Sequence, residues 1–97
     1  MSMMYILDDN GNPVPENDFV TWSDKFDISN RIIARDEVND VLISTVFSGV
    51  DHSYVSGSDP VLFETIIFGG EYDGYQARYT TRENALKGHA EAVMNVM

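Results

Sequence analysis

The sequence predicts an α+β domain: a small antiparallel sheet of about four to five strands in meander order, with a short N-terminal helix and a C-terminal helix packed on one face. Three observations carry this. The runs 41–50 and 61–68 are rich in Val, Ile, Phe and Thr, the composition of a half-buried pleated surface. Successive strands are joined by turns rather than crossover helices, which favours antiparallel pairing. Helical spacing of apolar residues appears near the two ends of the chain.

Tyr5-Ile6-Leu7 reads as a strand entering a tight turn, and Asn10-Gly11 favours a primed turn. The Asp8-Asp9-Asn10 run invites comparison with a calcium loop. The register fails, because no glutamate stands at the twelfth position and Pro13 occupies the glycine's place. Pro15 to Asp18 opens a helix, with proline in the first turn and carboxylates at the positive end of the dipole. Phe19, Trp22 and Phe26 then form one stripe that should face a core, and the helix should end near Asp27 to Asn30.

Arg31 to Arg35 reads as a strand, and Val38-Asn39-Asp40 as the turn into the long strand at 41–50. Asp51 to Pro60, with its serines and Gly57, reads as a mobile loop. The strand 61–68 follows, then Gly69-Gly70, an Asp73-Gly74 turn and a last strand at Tyr75 to Tyr79. Thr80-x-x-Glu83 has the form of a capping box that opens the C-terminal helix. Leu86, His89, Val93, Val96 and Met97 share one helical stripe. Gly88 costs this helix about 1 kcal/mol relative to alanine, so it should permit a close approach to the sheet or a ligand.

The chain of 97 residues has room for one core only, giving a single domain over 1–97. Five Phe, five Tyr and one Trp in a 43 % hydrophobic chain suffice to fold without staples. With no cysteine, disulfides, thiolate catalysis and iron–sulfur clusters are excluded. Sixteen acidic residues against six basic ones give a formal charge of -10, which repels duplex nucleic acid and anionic membrane. Direct nucleic-acid binding and membrane attachment are therefore not expected, nor is any cofactor.

Ionisable residues inside apolar patterns mark the candidate site. Glu64 shares a strand face with Leu62, Ile66 and Phe68. That face is either partly wet, or the carboxylate has a partner among Arg35, Arg78, Arg82, His52 and His89. His52 stands past a strand end beside Asp51, and is either a ligand-binding group or a solvated strand-end histidine. His89, on the apolar stripe of the last helix, should face the sheet as a buried, hydrogen-bonded group. Arg78 and Arg82 flank the start of that helix, where free N–H groups favour anions, and Tyr79 offers a stacking surface. Arg35, His52, Glu64, Arg78, Tyr79, Arg82 and His89 are the expected ligand-binding residues, with no catalytic or metal-ligating group among them. Two His and one Glu on three elements carry no metal-site spacing.

Ser44-Thr-Val-Phe-Ser-Gly-Val-Asp-His52, Leu62-Phe-Glu-Thr-Ile-Ile-Phe-Gly69 and Tyr79-x-Thr81-Arg-Glu83-x-Ala85-x-x-Gly88-His89, taken together, resemble a family of small phage and prophage proteins. The resemblance covers nearly the whole chain and implies an accessory gene product without specifying a reaction. It leads to an expected counter-defence protein in the cytoplasm of an infected bacterium. Such a protein would sequester a small anionic, nucleotide-like ligand as a homo-oligomer. Two alternatives stand beside it: an acidic inhibitor that mimics nucleic acid toward a host defence protein, and a small hydrolase using Glu64 with His52 or His89.

Overall fold

The protein is described by a computed structural model covering residues 4–25, 31–53 and 59–97. The α+β class and the packing of the C-terminal helix on an antiparallel sheet are as the sequence predicts. In chain order the elements are β1 (Tyr5–Leu7), β2 (Pro13–Pro15), α1 (Phe19–Lys25), β3 (Ile32–Val38), β4 (Val41–Phe47), β5 (Phe63–Phe68), β6 (Gln76–Tyr79) and α2 (Arg82–Val96).

β3 to β6 form a four-stranded sheet in sequence order, every pair antiparallel. The expected first strand does not join it. β1 pairs instead with the proline-flanked β2 as a two-stranded hairpin. Asp8 shapes the hairpin turn, its Oδ1 accepting from the backbone N–H of Asn10 and Asn12 at 2.9 Å each. Proline donates no ladder hydrogen bond, which suits a minimal ribbon and not the interior of a larger sheet.

The turn from β3 to β4 places Asn39 at φ 51° and Asp40 at φ 69°. Two successive positive φ values define a type I′ turn, whose twist matches the flanking strands. Past β4 the ladder continues through Ser48, whose N–H donates to Leu62 O at 2.7 Å, and through His52 N–H to Val61 O at 2.9 Å. Half of the expected mobile loop (54–58) and the expected end of the first helix (26–30) lie outside the described residues.

Alternation sets the two faces of the sheet. Val41, Ile43, Thr45 and Phe47 of β4 and Phe63, Thr65 and Ile67 of β5 are buried against α2. Their neighbours Leu42, Ser44, Val46, Glu64 and Ile66 point to the opposite face and stay partly exposed. α2 meets the sheet through Ala85, His89 and Ala92, with Val93 and Val96 beside them. Small residues bring the helix axis close to the strands. Gly88 has that role at β6, where a Cβ would collide with the Tyr79 ring and hydroxyl.

Three element-level expectations are corrected. The helix cap is Thr81, not Thr80: its hydroxyl accepts from the N–H of Asn84 at 3.1 Å. Leu86 and Met97 lie outside the buried stripe, at 43 % and 79 % exposure, because the contact face is centred on the alanines. Phe19 does not face a core and is 64 % exposed. It leans on Trp22, whose indole N–H donates to Gly49 O at 3.1 Å and fastens α1 beside the start of the long loop. Phe26 is outside the described residues.

Candidate functional site

The sheet turns its chemistry two ways. On the helix side lies a buried polar chain. His89 reaches down from α2, its ring 5 % exposed as a residue. Its Nδ1 is 2.7 Å from the Thr45 hydroxyl and its Nε2 is 2.7 Å from Asp36 Oδ2. Thr45 Oγ1 lies 2.5 Å from Thr65 Oγ1, its direct cross-strand partner. Beyond Thr65 stands Tyr79 of β6, on whose phenol the Thr65 hydroxyl acts. The chain thus runs Asp36, His89, Thr45, Thr65, joining α2 to one residue from each of β3, β4 and β5.

Burial raises the Tyr79 phenol above its ordinary value; the Thr65 hydroxyl works in the opposite direction, and Tyr75 and Glu91 add to the rise. Every buried side-chain nitrogen and oxygen among the described residues has a partner. Asp36 is the open end, with its side chain 54 % exposed. An ionised carboxylate only accepts, so the proton on the Asp36 side sits on His89 Nε2.

Carboxylate, imidazole and hydroxyl in line have the order of a hydrolytic triad. Thr45, however, is wholly buried and its oxygen faces Thr65. No reacting atom has access to it. The arrangement binds helix to sheet: an unpartnered polar group at such a position costs about 1–3 kcal/mol.

On the opposite face, register places Ile32, Val46, Glu64 and Arg78 in one cross-strand row. Arg35, Ser44, Ile66 and Gln76 form the next, and Glu37, Leu42 and Phe68 a third. Glu64 is paired with Arg78, Oε1 to Nε 3.9 Å, with the carboxylate side chain 14 % exposed. Arg35 approaches Glu37 at 4.0 Å. Both are loose ion pairs in partial contact with water, worth about 0–1 kcal/mol each. Ile32 and Phe68 stand 41 % and 49 % exposed at the margins.

The expected ligand-binding residues therefore divide. Arg35, Glu64 and Arg78 share the open face, but Arg35 and Arg78 lie on opposite edge strands, about 14 Å apart across three strand spacings. His89 belongs to the buried chain, and Tyr79 packs beside it under Gly88. Arg82, at the start of α2, reaches toward Gly11 of the hairpin turn. His52 is half-buried at the loop entrance and does not bond Asp51. Asp51 accepts instead from Ser53 N–H at 2.8 Å, Ser53 Oγ at 3.0 Å and Val61 N–H at 2.9 Å. The backbone N–H of Ser53 is the main cause that holds the Asp51 carboxyl below its ordinary value, against a smaller opposing effect of burial; the Val61 N–H, the Ser53 hydroxyl and His52 lower it further.

Sequence reasoning missed Asp36, Thr45 and Thr65. The signal was present for the threonines: each occupies an inward position of an alternating strand otherwise filled by Val, Ile and Phe. A hollow of about 500 Å³ between the hairpin, α1 and β4 has Tyr5, Leu7 and Phe47 on its walls, with Asp8, Asp9 and Arg31 beside them. None of the expected site residues lines it. No group of His, Asp and Glu suited to a metal ion occurs among the described residues. No described helix is long and apolar enough to cross a membrane. Comparison with protein-family models, curated proteins and solved structures gives no match.

Proposed function

We propose that this chain is a non-catalytic binding protein that works as a homodimer, two copies meeting through the open faces of their four-stranded sheets. The observation that supports it is the charge of that face. It carries Arg35 and Arg78 against Glu37 and Glu64, and so sums to zero on a chain of formal charge -10. Copies approaching elsewhere meet like charge; at this face apolar Ile32, Val46, Leu42, Ile66 and Phe68 meet their counterparts without net repulsion. Four strands about 4.8 Å apart and about six residues long give a flat area near 400 Å² per copy. An interface on the order of 800 Å² is small, so the dimer is weak and concentration-dependent.

A second reading follows from the same face. Pairing would bring the arginines of both copies to one seam, where a small anion of nucleotide type could be held and sequestered. The phage-protein resemblance supplies the setting, a counter-defence accessory protein in the host cell.

Sedimentation velocity over a concentration series tests the assembly. The unaltered protein should shift from monomer to dimer in the micromolar range, and Phe68→Arg should remain monomeric with an unchanged circular-dichroism spectrum. A monomer at every concentration removes the proposal. Repeating the series with a nucleotide panel tests the second reading, since a bound anion at the seam must strengthen the dimer.

A further inference from the structure

The open face of the sheet carries its charges in a pattern that one arrangement of two copies satisfies better than the others. Arg35 and Glu37 are successive outward residues of β3, with side chains 56 % and 71 % exposed, and their own contact is a loose 4.0 Å. Arg35 stands in the row of Ser44, Ile66 and Gln76, and Glu37 in the next row with Leu42 and Phe68. Outward residues along a strand are about 6.8 Å apart. The two rows are therefore neighbouring stripes, of opposite charge at β3 and apolar at β5.

Sheets that pack face to face lie about 10 Å apart with their strands nearly aligned. With the twofold axis along the strands, β3 of each copy lies over β6 of the other. Arg35 then faces Gln76, beside Arg78, and Glu64 faces Val46. Like charges approach, and a carboxylate exchanges water for an apolar side chain. With the axis across the strands, β3 lies over β3, and sliding the copies chooses which rows meet. Centred on the middle row, Arg35 meets Arg35. Centred toward Glu64, that carboxylate meets Ile66. Centred toward Glu37, Arg35 meets Glu37 of the second copy and Ile66 meets Phe68, each contact made twice by symmetry. The exposed turn with Glu71 and Asp73 then extends toward the row that holds Arg78 of the second copy.

We infer that the open face recognises a second copy in this one arrangement, strands antiparallel and Arg35 opposite Glu37, and that these two residues set its specificity. The arrangement rests on the sheet-face homodimer proposed above. Because a carboxylate matches each Arg35, the seam gathers no pair of arginines and closes without an anion. An anion held between arginines belongs to the other orientation, with the axis along the strands. The two orientations exclude one another.

Charge-swapped variants test it by sedimentation equilibrium. Arg35→Glu and Glu37→Arg should each weaken self-association by about a hundredfold, because like charges then face each other at two symmetric contacts. Glu37→Arg lowers the net negative charge, so its weakening does not come from general repulsion. An equimolar mixture of the two variants should dimerise again, since every Glu then faces an Arg. Lys87→Glu, the same change of charge at an exposed position of α2, should dimerise like the unaltered chain. Single variants that still self-associate overturn the arrangement, as does a mixture that stays monomeric or an unaltered dimer strengthened by inorganic triphosphate. An unaltered chain that never dimerises removes the sheet-face reading itself. A second measurement needs no charged variant to fold. The chain has no cysteine, so Leu42→Cys mixed with Ser44→Cys should give a disulfide-linked dimer under mild oxidation, and Ser44→Cys mixed with Ile66→Cys should not. The reverse yields overturn the arrangement.

Discussion

Asp51 holds the two ends of the long connection together with a single carboxylate. Its oxygens take three hydrogen bonds, from Ser53 twice and from Val61 across the loop. Because these bonds favour the charged form, its folded value is depressed. A depressed carboxyl contributes stability that is fully present above the unfolded value of about 3.9 and is lost as pH falls through the folded value. The melting temperature should therefore fall on acidification below about pH 4. Asp51→Asn, which keeps an acceptor for the backbone and discards the charge, should show a shallower acid limb in differential scanning calorimetry; parallel limbs would refute this. At this scale the sequence was half legible. The inward direction of His89 followed from helical phase, and Arg78 was among five named partners for Glu64. Asp36, by contrast, lies 53 positions from His89, and only strand register brings them together. Nothing local announces such a pair.

Element boundaries depend on which of several adjacent residues wins a local competition. Thr80 and Thr81 both precede α2, and both can accept from a free helical N–H. Thr81 is the cap because its extended backbone (φ -128°, ψ 153°) aims the hydroxyl at Asn84, leaving Glu83 in the first turn near the dipole's positive end. Thr81→Ala should destabilise the protein by about 1 kcal/mol and Thr80→Ala by much less. Urea denaturation of the two variants checks it, and equal effects would return the cap to Thr80. Strand alternation was the most legible feature here, since a period of two leaves each β5 residue only one choice of face. The stripe on α2 was misplaced by one position at Leu86 because apolar size drew attention from Ala85 and Ala92. In a helix that lies this close to a sheet, small residues mark the contact face.

At the scale of the whole molecule, the order of elements could be read from the chain, but membership of the sheet could not. Tyr5 to Leu7 has strand composition, and composition does not say which strand it pairs with. In the structure β1 and β2 make their own ribbon, tied to the rest by Tyr5 N–H to Gly49 O at 2.9 Å and by the Met4–Val50 bridge. Its side chains Tyr5 and Leu7 are only partly buried against the Phe47 cluster. The ribbon therefore opens without breaking a ladder bond between β3 and β6, and the chain has two tiers of cooperative opening. Amide protons of Ile6 and Val14 should exchange with deuterium well before those of Ile43 and Thr65, which exchange only on global unfolding. Simultaneous exchange of both sets would show one unit. Among the described residues, the N-terminal ribbon is the part that proteases should find first.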